Sequence, residues 1–109
     1  MAKKDDHPLI NETILDYIDI LKKNGIQVWR IYLYGSYAKG TFTKDSDIDL
    51  AIFLDVNDID GFEEDALLMK LRRKVNLNIE PHTFAKSDFD RTNPFIKEIV
   101  TTGDRKSVV

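Results

Sequence analysis

The residues best suited to chemistry lie in one run, IYLYGSYAKGTFTKDSDIDLAIF, which contains Gly35, Ser36, Asp47 and Asp49. The two aspartates are two positions apart, so on an extended strand their side chains share one face. Two hard carboxylates side by side can hold Mg²⁺, an ion that also takes oxygen ligands from substrate phosphates. Gly35 lacks the Cβ that would keep backbone amides away from a phosphate. Ser36 adds a hydroxyl donor at the same point. A short helix after Ser36 would add N-terminal amides and a dipole that favours an anion. Together these features suit phosphoryl or nucleotidyl transfer, but two carboxylates fall short of a two-metal site. Glu80, on the polar face of a later strand and just before Pro81, is the candidate third. In two-metal transfer one ion activates the attacking oxygen and the other steadies the leaving pyrophosphate. Glu80 would help hold the activating ion and could draw off the nucleophile's proton.

These residues need two strands and the turn between them. The segment Ile26 to Tyr34 is β-branched and aromatic and reads as a largely buried strand ending at Gly35. Residues 37–43 are small and polar, fit for a turn or one helical turn. Asp47 to Leu54 is a second strand, with Ile48, Leu50 and Ile52 on one face and Asp47, Asp49 and Ala51 on the other. Ahead of this unit, Ile10, Ile14, Leu15, Ile18 and Leu21 form a helical stripe that opens at Pro8 and closes at Lys22, Lys23 and Gly25. Beyond it, Phe62 to Val75 is a helix with acids at its start and bases at its end. Leu77 to Phe84 is a third strand, and Asn93–Pro94 opens a helix through Val100 that Gly103 ends. Residues 1–7 read as a flexible arm. The expected architecture is α/β (α+β): one domain over residues 1–109, a small mixed sheet with helices packed mainly on one face.

Composition narrows the class. A chain of 109 residues fits one domain with one real core. A net charge of −3 lacks the strongly basic field of a nucleic-acid binder, so no direct nucleic-acid binding is expected. Without cysteine there are no disulfides, thiolate metal sites or thiol catalysis. No secretory signal and no membrane span is visible, so the expected setting is the cytoplasm.

Gly35-Ser36, ten residues, then Asp47-x-Asp49 resembles the signature of the polymerase-β nucleotidyltransferase superfamily, and most of all its minimal nucleotidyltransferases. The likeness runs from Ile31 to Phe53. The run from Arg72-Arg73-Lys74 through Ile79-Glu80-Pro81-His82 resembles the same group. The resemblance implies a polymerase-β-like fold, an ATP substrate and Mg²⁺, two ions being expected. It places Gly35 and Ser36 on the triphosphate, with Lys39 reaching a phosphate as a point charge. It places Asp47, Asp49 and Glu80 on metal as the catalytic carboxylates. Several such proteins pair with a HEPN-type ribonuclease toxin as antitoxins, and some transfer AMP to a toxin tyrosine. Larger relatives append a helical domain that binds the acceptor. A chain of this length is expected to take its acceptor surface from a partner protein or a second copy, in a homo- or hetero-oligomer.

Each feature has a plainer reading. Gly-Ser after a strand is common in ordinary turns, and strand carboxylates such as Glu80 often face only water. His82 reads as a hydrogen-bonded scaffold residue rather than a base. Tyr37 reads as a base-stacking group, a self-modification target or a semi-exposed turn aromatic. The acidic run from Asp55 to Asp65 suits a basic partner or a solvated loop. Arg72, Arg73 and Lys74 match a helix dipole. Two other functions stay open: a binding module that neutralises a toxin by forming a complex, and a small-molecule adenylyltransferase of the aminoglycoside type.

Overall fold

Alternation decides which side of the sheet each residue of the central strand faces. In the computed structural model, Ile48, Leu50 and Ile52 of strand β2 (Ile48–Leu54) are buried on one face, and Asp49, Ala51 and Phe53 take the other. A one-residue slip would send those three aliphatic side chains to the opposite face, at about 1.5–3 kcal/mol for each one lost from the core. Core packing thus orients Asp49. The structure describes residues 8–43, 45–57, 61–90 and 92–106, with backbone alone at Pro8, Gly61 and Phe62. The arm expected at residues 1–7 and the middle of the acidic loop, residues 58–60, lie outside the described residues.

The chain begins with α1 (Pro8–Lys23), which buries Ile14, Tyr17, Ile18 and Leu21 and ends where Gly25 turns at a φ of 78°. Strand β1 (Val28–Tyr34) runs antiparallel to β2, and between them lies the single helical turn α2 (Ser36–Lys39). Helix α3 (Gly61–Leu71) crosses over to β3 (Ile79–Ala85), which pairs parallel to β2. Helix α4 (Pro94–Thr102) follows, then β4 (Asp104–Lys106), antiparallel to β1. The sheet order is β3-β2-β1-β4. This is the small mixed sheet of the α/β architecture expected.

The longer helices, α1 and α3, cover one face, where Leu68 and Leu71 meet the α1 stripe over Ile31, Leu33, Leu50 and Ile52. The Tyr17 hydroxyl donates to the Leu68 carbonyl at 2.7 Å and ties the two helices together. Helix α4 covers the other face, setting Ile96 and Ile99 on Tyr32, Ala51 and Phe53. A bulge in β1 between Val28 and Arg30 lets Val28 pack on the first face while Trp29 joins Phe53 and Phe89 on the second. The outer edge of β3 is closed to further strands. Pro81 has no N–H, and the Thr83 N–H and hydroxyl both donate to Asp65.

Several boundaries differ from expectation. Strand β3 starts at Ile79, not Leu77, because Asn76 Oδ1 accepts from the Asn78 N–H at 2.7 Å and makes a local turn. Leu77 is left exposed. Helix α3 stops at Leu71 and tightens into a 3₁₀ turn over Arg72–Lys74. Tyr37, which the sequence leaves open to base stacking, self-modification or a semi-exposed turn position, is buried and stacked on Phe42 at 4.6 Å. The acidic run also makes surface contacts within the chain: Asp65 accepts from Thr83, and Asp55 pairs with Lys86 at 3.5 Å.

Candidate active site

The site forms where β1 ends and β2 begins. Gly35 leaves β1 with φ 73° and ψ −147°, a conformation that side-chain-bearing residues rarely adopt. An added Cβ would collide with the Asp49 carboxylate, standing 3.1 Å from its Cγ. Glycine therefore both makes the turn and leaves space for Asp49. The Gly35 carbonyl accepts from the Lys39 N–H at 3.1 Å, and Gly40, with φ 79°, ends the turn of α2. The short helix anticipated after Ser36 is present, but its one turn carries little macrodipole. What it offers an anion is its first backbone N–H groups.

Strand pairing assembles a row across the sheet. Asp49 pairs with Tyr34 of β1 on one side and with Glu80 of β3 on the other. Asp47 stands just ahead of β2 and is exposed. Burial, then the neighbouring Asp47 charge, hold the Asp49 carboxyl above the usual aspartate range; His82 opposes the shift and Glu80 adds to it. The Tyr34 hydroxyl is pushed up to about 12 by burial, then by Asp49 and Glu80. His82 is exposed, with its ring tilted against Tyr34 at 6.1 Å.

The remaining candidates have protein partners. Arg72 Nη1 donates to Glu80 Oε2 at 3.1 Å and to the Ile79 carbonyl at 2.8 Å. Lys39 Nζ lies 3.9 Å from Glu98 Oε2, and because both are more than half exposed the pair holds Lys39 weakly. Among the described residues, no three His, Asp or Glu side chains are gathered tightly enough to enclose an ion unaided. The donor chemistry nevertheless fits a divalent cation. Asp49 is a half-buried carboxylate destabilised by a second carboxylate, so a cation beside it relieves the repulsion. Mg²⁺ commonly takes one or two carboxylates and completes its shell with water and substrate phosphate.

A strand, a Gly-Ser turn with one helical turn, an Asp-x-Asp pair at the head of the next strand and a parallel third strand with a carboxylate in register make up a polymerase-β-type nucleotidyltransferase. The chain belongs to the nucleotidyltransferase domain family, whose pattern it matches over residues 14–103. It is 32% identical over 91 residues to a Methanocaldococcus jannaschii protein named as a candidate protein adenylyltransferase, spanning 84% of this chain and 87% of that one. In fold it resembles a chain from a mutant of the toxin–antitoxin pair MntA–HpeT, with a TM-score of 0.54 and 23% identity over 84% of this chain and 69% of that chain.

Three features of the site escaped the sequence reading. Arg72, taken as a dipole-matched helix end, grips Glu80 across eight residues of chain; no local periodicity signals such a pair. Tyr34, taken as a sheet residue, flanks Asp49. Phe95 and Glu98 of α4 stand beside the Gly35 turn, a placement visible only once β4 returns the chain to β1.

Proposed function

We propose that the chain, acting in the cytoplasm as a one-domain enzyme, transfers AMP from ATP with Mg²⁺ to a hydroxyl on a partner protein. We take the acceptor to be a tyrosine of a HEPN-type toxin, which the modification silences. The observation carrying this proposal is the cross-strand row Tyr34–Asp49–Glu80 set against the Gly35 turn. The name of the Methanocaldococcus relative supports protein adenylylation as the reaction, and the toxin–antitoxin pair of similar fold supports the toxin as partner.

In this mechanism the backbone at Gly35 and the Ser36 hydroxyl hold the triphosphate, and Lys39 leaves Glu98 to reach a phosphate oxygen. Asp47 and Asp49, with Glu80, would hold Mg²⁺, two ions in the full site. When bound, the metal neutralises phosphate charge and favours attack at phosphorus. The acceptor oxygen bonds to the α-phosphorus as the bond to the bridging oxygen breaks, and pyrophosphate leaves. The acceptor's proton passes to Glu80. Arg72 keeps the Glu80 carboxylate beside Asp49. Asp47→Asn with Asp49→Asn is expected to abolish transfer and leave the fold intact. Transfer retained by the double variant contradicts the assignment.

One observation favours a second reading. The Arg72–Glu80 pair engages the third carboxylate at 3.1 Å; if that pair persists with nucleotide present, Glu80 is withheld from the reaction and the chain neutralises its partner by forming a complex. In that case the double variant still protects against the toxin in a stoichiometric complex.

A further inference from the structure

Beside the Gly35 turn, between α2 and α4, lies a cleft of about 200 Å³. Its apolar wall is Tyr34, Phe95 and Ile99, and its polar rim is Lys39, Glu98 and Thr102. We propose that this cleft is the nucleobase subsite, taking a base with an exocyclic amino group whose ring lies against Phe95 and whose amino group donates to Glu98. The proposal rests on the nucleotidyltransferase reading, in which Gly35 and Lys39 contact the phosphates.

Four observations carry it. The first is size: the cleft is below the ~300–1,000 Å³ of sites for drug-sized ligands and suits a single ring system. The second is Phe95, a large aromatic left 47% exposed at the start of α4. Contacts with Tyr34 at 6.1 Å and Phe84 at 6.0 Å brace its ring, and the Asn93 cap fixes the helix turn that carries it. A braced, exposed aromatic ring is a stacking platform for any base. The third is the rim chemistry. Glu98 is an acceptor only, and the Thr102 hydroxyl already donates to the Glu98 carbonyl at 2.8 Å, which leaves its oxygen to accept. Away from Lys39 the rim therefore asks for a projecting donor, which the exocyclic amino group of adenine supplies; uracil carries carbonyl oxygens at its exocyclic positions and keeps its one base donor, N3–H, on the ring between them. A carboxylate there also repels phosphate. The fourth is continuity: Gly35 and Lys39 belong both to the phosphate turn and to the cleft mouth, so one nucleotide spans the two. Lys39, only loosely tied to Glu98, is free to turn toward phosphate and release the carboxylate.

Calorimetric titration of the full chain with Mg²⁺ and three probes, ATP, UTP and inorganic tripolyphosphate, tests this. ATP is expected to bind more tightly than UTP or tripolyphosphate. Phe95→Ala should weaken ATP about tenfold, in the range of base–aromatic stacking, and leave tripolyphosphate unchanged. Phe95→Trp should restore ATP binding, and Glu98→Ala should erase the preference for ATP over UTP. If ATP and tripolyphosphate both bind and ATP is indifferent to Phe95→Ala, or both weaken equally, the subsite is overturned and the phosphate turn stands. If wild-type protein binds neither, both readings fall. Indifference of ATP joined to weaker capture of a tyrosine-bearing partner would assign the cleft to the acceptor and overturn the proposal.

Discussion

Replacing Gly35 with alanine adds one methyl group at the tightest point of the site. The backbone there sits at φ 73° and ψ −147°, where a non-glycine residue costs on the order of 1–3 kcal/mol in strain. The new Cβ would stand 3.1 Å from Asp49 Cγ, short of the ~3.5–4.0 Å of a comfortable carbon contact, and nearer still to Oδ2. Asp49 must then move, and such overpacking costs about 1–3 kcal/mol more. The sum is at least about 2 kcal/mol, which lowers Tm by about 8 °C or more at roughly 4 °C per kcal/mol for a domain of this size. Gly40 is the internal control. Its φ of 79° carries the left-handed cost of about 1–2 kcal/mol, but nothing lies within 4 Å of an added Cβ. Circular-dichroism melts in chelator should rank wild type above Gly40→Ala and Gly40→Ala above Gly35→Ala. Adding Asp49→Ala to Gly35→Ala should recover part of the loss. Nucleotidyl transfer should vanish in Gly35→Ala and survive in Gly40→Ala. Equal melting of the two glycine variants, with transfer retained in both, refutes the idea that Gly35 makes room for Asp49.

Two more perturbations reach other parts of the structure. Tyr17→Phe removes the bond to the Leu68 carbonyl and should cost about 0.5–1.5 kcal/mol, read as a shift in the denaturation midpoint. Burial pushes the Tyr17 hydroxyl above its ordinary value of 10.0, so its contribution is whole below pH 10 and declines as the pH rises further, when the unfolded chain ionises first. The gap between Tyr17→Phe and wild type should therefore narrow above pH 10, and a gap that widens there contradicts the assignment. Asn93→Ala removes the cap on the Phe95 and Ile96 amides and should cost about 1 kcal/mol, with the earliest loss of amide protection in α4. Protection that falls uniformly across the sheet would argue against a local role for the cap.

Local periodicity made the long elements legible. The α1 stripe and the alternation in β2 both appear in the buried set, although Leu15, placed on the stripe, is exposed and Tyr17 is buried in its stead. Asp49 could be assigned to the face opposite Ile48 and Leu50 from alternation alone. What escaped depends on partners distant in sequence. Strand β4 is Asp-Arg-Lys, with no strand propensity, and exists because it pairs with Ile31–Leu33. The parallel register that sets Glu80 opposite Asp49 follows from the α3 crossover, and the Arg72 grip from where α3 tightens. Each is a tertiary fact without a local signature.

The most direct test of the central claim is an intact-mass assay of the chain with ATP, Mg²⁺ and its proposed HEPN-type toxin partner, run beside the Asp47→Asn, Asp49→Asn double variant. The account predicts a mass gain of one or more AMP units on the partner with wild-type protein and none with the variant, while both still fold. A gain that persists in the variant, or a partner neutralised with no gain at all, would contradict it.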